Sequence, residues 1–219
     1  RTLSEARWYI VLTIIQFHPL YYCSRTLPNT FAAILTTFST ALRISSRNKT
    51  NSATWSIIIL SVATALLRSE LILLLIPTLI LDFLVEFHTK PTLSLHFQWK
   101  SFFSACFKCF TAAFLTATLS ICIDSYFWNR LSYPELEVFW FNAIKKGSEA
   151  YGVSPWHWYF TSALPRALLL SFPLGFVCIL VQTQYAIQLL FPMLTFTCCY
   201  SFLPHKELRF VAFYAAPCF

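Results

Sequence analysis

The sequence predicts an all-α, polytopic transmembrane bundle, and three observations carry that prediction. Of 219 residues, 57% are hydrophobic, 18% aromatic and only 11% charged, whereas a soluble globule carries about a quarter charged residues. Mean hydropathy is accordingly high, at +0.61. The apolar residues come in long runs parted by short polar breaks, which is the pattern of membrane helices. Those runs do not alternate apolar with polar residues, as barrel strands would.

Taken in order, the runs place about eight membrane helices, at 8–22, 28–43, 52–67, 70–86, 101–122, 166–181, 185–203 and from 210 onward. Several are shorter than the ~20 residues of a full span, which tilt or a thin membrane accommodates. The first run, from Trp8, lacks the small-residue cleavage site of a signal peptide. One long connection, 123–165, separates the fifth helix from the sixth. Pro134 and Pro155 break any continuous span there, and Gly152 adds flexibility. Within it, 134–146 is expected to form a short helix along the membrane, with Phe139, Trp140 and Phe141 dipping in. The chain reads as a single transmembrane domain, 1–219. It opens without Met and stops on Phe219 inside an apolar run, so the expectation is a fragment of a longer protein.

Composition also excludes some classes. The net charge of +7 comes from basic residues scattered among membrane-length runs. Orientation in a bilayer explains that better than a nucleic-acid partner does. Most of the eight cysteines lie within apolar segments. Cys106 and Cys109 form one CxxC without a second pair, so no metal site is expected.

Orientation follows the basic residues of the short connections. Segment 43–51 carries Arg43, Arg47 and Lys49, and segment 87–100 carries Lys90 and Lys100, both without an acid. Segment 123–154 instead sets Arg130, Lys145 and Lys146 against Asp124, Glu135, Glu137 and Glu149. With the first two segments cytosolic, 23–27, 68–69, 123–165 and 204–209 fall on the opposite face. The sequon at Asn48 then stays cytosolic and unmodified.

This topology gathers the unusual polar residues on one side: Arg25, Asn29, Arg68, Glu70, Asp124, His157, Arg166 and the run His205, Lys206, Glu207, Arg209. Each alone fits an interfacial anchor or a snorkelling side chain. Their repeated occurrence on one face points instead to a polar site. Arg25, Arg68, Arg166, Lys206 and Arg209, with His205, form a cationic set suited to a phosphate, arginine as a bidentate fork and lysine as a point charge. Glu207, Glu70, Asp124 and Asn29 are the supporting groups; acid and base recur together, as Arg68 with Glu70, which lowers the cost of burying either charge. Aromatic residues crowd 123–165, among them Trp128, Trp156 and Trp158. They serve either as an interfacial belt or, with His157, as a platform for sugar rings or an isoprenoid chain. A transporter or lipid scramblase could use the same cations, but should place polar residues deep in opposing spans. Here the charges gather near one surface. A purely structural subunit of a membrane complex is a further alternative.

The stretches YYCSRTLPNTFA, IDSYFW, SPWHWYFTSALPRAL and LPHKELRF together resemble the dolichyl-phosphate-mannose-dependent mannosyltransferases of the endoplasmic reticulum, multi-spanning enzymes of the GT-C class. The resemblance runs from about Gln16 to Phe210. CSRTLPN, DSYFW and SALPRAL look most like the branch that adds an α-1,6 mannose to the lipid-linked N-glycan precursor. The HKE-x-RF element is shared with the enzymes of glycosylphosphatidylinositol anchor assembly, the runner-up. The resemblance implies a dolichyl phosphate mannose donor, a dolichol-linked oligosaccharide acceptor, transfer with inversion, no bound metal or cofactor, and a site facing the lumen. Members of this family carry their key acidic residues in a first luminal loop that nothing here matches. That loop is expected upstream of Arg1, and no catalytic base is assigned in this chain.

SFLPHKELRF makes the sharpest local expectation. Pro204 should end helix 185–203, and His205 to Arg209 should open the next helix. In a helix His205 and Arg209 share a face, so both would meet the donor phosphate. Glu207 and Arg209, two apart, would not pair. Glu207 is then expected to orient a cation from another helix, Arg68 or Arg166.

Overall fold

The computed structural model describes residues 3–16, 21–45, 50–86, 94–95, 99–144, 152–181 and 183–215. Arg47, Asn48, Lys49, Lys90, Lys145, Lys146, Glu149 and Tyr151 lie outside the described residues. The apolar runs are helical. In chain order they form α1 (Leu3–Ile15), α2 (Pro28–Ser45), α3 (Thr50–Leu66), a 3-10 turn (Ser69–Leu71) leading into α4 (Ile72–Leu84), and α5 (Trp99–Trp128). Next come α6 (Pro134–Phe139) with a π turn (Trp140–Ile144), and a second π turn (Tyr159–Ala163) entering α7 (Leu164–Leu168). α8 (Ser171–Val181), α9 (Thr183–Ser201) and α10 (Leu208–Ala215) follow. Among the described residues extended structure is limited to one antiparallel ladder, Val85–Glu86 (β1) against Ser94–Leu95 (β2).

The expected count of about eight spans is not confirmed among the described residues. Among the described residues α5 alone is long and apolar enough to cross a membrane, with the bent pair Tyr159–Leu168 and Ser171–Val181 a second if taken as one span. Apolar stretches of α1, α3 and α9 are shorter than that. The long connection also differs from expectation at its start. α5 continues through residues 123–128, so Asp124 and Trp128 are helical. The reason is local: Ser120 Oγ donates to Asp124 at 2.8 Å, one turn away, and so satisfies polar side chains inside the helix. At 30 residues, α5 measures about 45 Å, against ~30 Å for a bilayer core. Lys100 and Lys108, both exposed, sit in its first third. The expected short helix does start at Pro134, as α6.

Contacts sort what the sequence reads as one domain into two compact units, Ile34–Ala150 and the remainder, Arg1–Ala33 with Tyr151–Phe219. In the unit Ile34–Ala150, α3 packs chiefly along α5. Small residues let the two backbones approach: buried Ser61 donates to the Cys109 carbonyl at 2.7 Å. The Ser39 and Ser56 hydroxyls, 2.9 Å apart, join α2 to α3. Arg43 pairs with Asp82 of α4 at 2.7 Å. Segment 43–51 therefore does have an acid partner, one that sequence separation hides. The outer surface of α5 is apolar and exposed, with Phe103, Phe107, Phe110, Phe114 and Leu119 all facing outward.

In the unit Arg1–Ala33 with Tyr151–Phe219, the core is Tyr159, Leu164, Leu168, Met193, Phe196 and Val211, all fully buried. Phe196 stacks on Tyr200 at 5.0 Å and meets Tyr214 edge-on at 5.3 Å. Leu169, in the left-handed region at φ 49°, ends α7 and redirects the chain into α8. Gln16 follows α1 and donates to Ser171 at 2.9 Å, fixing the N-terminal helix to α8 within this unit.

Candidate functional site

α9 stops at Ser201, residues 202–207 form a non-helical turn, and α10 begins only at Leu208. This overturns the expectation that His205 to Arg209 open a helix. It also overturns the pairing argument that depended on it. Because residue 207 is not helical, Glu207 reaches both neighbours: it accepts from Arg209 Nη2 at 2.9 Å, and its carboxylate also meets Arg209 Nε. His205 Nε2 lies 3.0 Å from the same carboxylate. Glu207 is thus paired with His205 and Arg209 within its own motif. Burial pushes its carboxyl up, but the hydrogen bonds and charges of His205 and Arg209 outweigh burial and hold it below the ordinary value.

The same turn is tied to the segment before the second π turn. Ser154 N donates to the Pro204 carbonyl at 3.0 Å, and His205 Nδ1 lies 3.1 Å from the Gly152 carbonyl. Lys206 is buried. Its ammonium donates to the Ser154 carbonyl at 2.9 Å and the Leu203 carbonyl at 2.6 Å. Burial draws its pKa down from the usual lysine range. Lys206 therefore stands as a staple between two backbone segments, where the sequence suggested a phosphate contact. Tyr159 donates to the Glu207 carbonyl at 3.2 Å, and buried Asn29 donates to the Arg209 carbonyl at 3.4 Å. Arg209 also lies over the Phe210 ring, 5.5 Å from its centroid.

Two further cations of this unit are differently placed. Arg25 is exposed, lies over the Tyr21 ring at 4.7 Å and donates to its hydroxyl at 2.5 Å. Thr30, in the first turn of α2, accepts nothing from that guanidinium but donates to the Arg25 carbonyl at 2.9 Å, which fixes its backbone. Arg166, on α7, is exposed. Among the described residues neither Arg25 nor Arg166 has a carboxylate partner. His157 is exposed and hydrogen-bonds Thr161 at 3.2 Å, with exposed Trp156 edge-on to it at 5.8 Å. Trp158 is half-buried beside Tyr159, with ring centroids 5.3 Å apart.

The remaining predicted residues belong to the unit Ile34–Ala150. Arg68 and Glu70 pair at 2.7 Å where α3 gives way to α4, as their spacing suggested. Asp124 accepts from Ser120 inside α5, and Trp128 is exposed at its end. Sequence reasoning missed Glu135, whose carboxylate accepts from the Ser69 backbone N–H at 3.1 Å beside that pair. It counted there only as loop charge, although an acid just after Pro134 is a signal for the first turn of a helix. It also missed Gly152 and Ser154, which act through backbone carbonyls and carry no side-chain signal.

Comparison with known proteins agrees with these motifs. The chain is 39% identical over 204 residues to the Dol-P-Man:Man(7)GlcNAc(2)-PP-Dol alpha-1,6-mannosyltransferase of Arabidopsis thaliana, covering 93% of this chain and 37% of that protein. It is 35% identical over 206 residues to the Drosophila melanogaster protein of the same name, covering 94% and 28%. To the Homo sapiens GPI alpha-1,2-mannosyltransferase 3 it is 29% identical over 209 residues, covering 94% and 35%. The chain thus spans about a third of the length of these curated relatives. No solved structure matches it. The sequence profile of the Alg9-like mannosyltransferase family matches residues 2–219, and the chain belongs to that family.

Proposed function

We propose that the chain is part of a mannosyltransferase of the endoplasmic reticulum membrane. The enzyme moves mannose from dolichyl phosphate mannose onto the dolichol-linked N-glycan precursor in α-1,6 linkage. One observation carries this reading above its neighbours. The relatives named for that reaction reach 39% and 35% identity, against 29% for the human GPI enzyme. The GPI reading stays second, because that relative also matches 94% of the chain.

The transfer is an inversion. The acceptor 6-hydroxyl oxygen bonds to the anomeric carbon as the bond to phosphate breaks. Its proton goes to a carboxylate, and dolichyl phosphate leaves with the electron pair. What this chain supplies is cationic. Arg25 and Arg166, exposed and without a carboxylate partner among the described residues, suit the charge growing on the departing phosphate. The turn at 202–207 is held rigidly enough by Lys206 and Ser154 to present Arg209, already half-neutralised by Glu207, as a weaker contact. Trp156 and His157 offer an exposed aromatic edge to sugar or isoprenoid.

The membrane reading gains from α5, whose apolar surface faces outward instead of into a core. Lys100 and Lys108 at one end of α5 fit a cytosolic start, and Asp124 and Trp128 a luminal end. That polarity supports a luminal site, and the multi-pass topology is proposed with it from the apolar runs of the sequence. The direct test is mannosyl transfer by microsomes carrying the intact protein, supplied with labelled dolichyl phosphate mannose and a seven-mannose lipid-linked acceptor. Product sensitive to an α-1,6-mannosidase is expected. Transfer only to a GPI precursor would select the second reading.

A further inference from the structure

The junction between α3 and α4 leaves backbone groups without helical partners, and one connection fills them. α3 closes with Leu67 and Arg68 both donating to the Ala63 carbonyl, at 3.0 and 3.2 Å. The Ala65 carbonyl, bypassed by that closure, accepts the Tyr133 hydroxyl at 2.7 Å. Across the break, Arg68 takes an extended backbone (φ −152°, ψ 104°) as the residue preceding the 3-10 turn. The first N–H of that turn, Ser69, is satisfied by Glu135 Oε2 at 3.1 Å. Tyr133 and Glu135 flank Pro134 at the start of α6. The tripeptide Tyr133-Pro134-Glu135 therefore grips the junction on both sides of Arg68.

The electrostatics agree with a designed contact. Arg68 pairs with Glu70 at 2.7 Å, both half-buried. Burial first, and then the charge of Glu70, push the Glu135 carboxyl above its ordinary value, against the pull of Ser69 N–H and Arg68. A half-buried acid beside another acid is unfavourable unless its hydrogen bond is needed where it stands. A backbone-capping role accounts for its place, and its other neighbours in 130–137 are arranged around α6 itself: Ser132 and Arg130 both donate to Glu137, at 3.1 and 3.0 Å.

We infer that Glu135, seconded by Tyr133, is a positioning residue that fixes the α3–α4 junction and with it the Arg68 guanidinium as a substrate-binding cation. The inference rests on the transferase reading above, to which it adds Arg68 from the cationic set of the sequence, and on the junction geometry for how that residue is held. Glutamine keeps the acceptor oxygen that Ser69 N–H needs, so Glu135→Gln should rescue what Glu135→Ala loses.

Two measurements on the intact protein test it. In detergent, amide hydrogen exchange across 67–71 should accelerate about tenfold or more in Glu135→Ala and stay near wild type in Glu135→Gln. If Glu135→Ala does not accumulate, Tyr133→Phe deletes the hydroxyl alone and reads the same grip. In the transfer assay, Glu135→Ala should lower kcat about tenfold, and adding it to Arg68→Ala should cost almost nothing more, since coupled residues are non-additive. Unchanged exchange overturns the inference whatever the activity. Faster exchange with fully additive kinetics overturns it too, leaving Glu135 a structural cap. Faster exchange in a protein whose wild type transfers no mannose would instead sink the transferase reading, and the role of Arg68 with it.

Discussion

Glu207 is the residue around which the charged turn is organised, because one carboxylate serves His205 and Arg209 together. Its depressed pKa carries a definite sign. A carboxyl held below its unfolded value contributes stability in full above that value, 4.5, and the contribution disappears as pH falls through the folded value. The stability gap between wild type and Glu207→Gln should therefore be wide at neutral pH and close below about pH 4.5. A gap independent of pH in detergent melts would show that the carboxylate charge plays no part. Lys206 makes a separate prediction. Lys206→Met should leave the half-buried Ser154 and Leu203 carbonyls without their donor, at up to ~1–3 kcal/mol in all. Thermal stability should fall before the donor KM changes. A rise in donor KM at full stability would return Lys206 to the phosphate. Sequence made the motif visible but misjudged its wiring. The rule that residues two apart do not meet holds in a helix, and α10 starts one residue after Glu207.

Among elements, the α3–α5 pair depends on close backbone approach. Ser61 is buried and bonded to the Cys109 carbonyl, so a larger side chain has nowhere to go. Ser61→Leu should destabilise the protein by ~1–3 kcal/mol through overpacking. The loss would be read as a lower melting temperature, with Ser61→Ala much milder. Equal melting temperatures for Leu and wild type would mean the two helices are not in contact there. Helix positions were largely legible from apolar runs, and Pro28 and Pro134 mark true starts. The end of α5 was not, because Asp124 and Ser125 read as a loop until the hydrogen bond from Ser120 to Asp124 is seen. The Arg43–Asp82 pair was equally hidden: 39 residues separate its members, and nothing in either neighbourhood names the other. Arg68 with Glu70 was legible because both partners flank one break.

For the whole molecule, orientation and reaction are the two claims that matter. Glycosylation sites engineered into 134–144 should be used in microsomes while Asn48 stays bare, as the basic bias of the connections requires. The opposite pattern would turn Arg25, Arg68, Arg166 and Arg209 toward the cytosol and away from a luminal donor. The reaction itself is tested most directly by the lipid-linked oligosaccharides of cells lacking the intact protein. The α-1,6-mannosyltransferase account predicts that the N-glycan precursor stops at seven mannoses, the acceptor in the relatives' name, and that reintroducing the protein restores its extension. A full-length N-glycan precursor alongside accumulated GPI-anchor intermediates would contradict it.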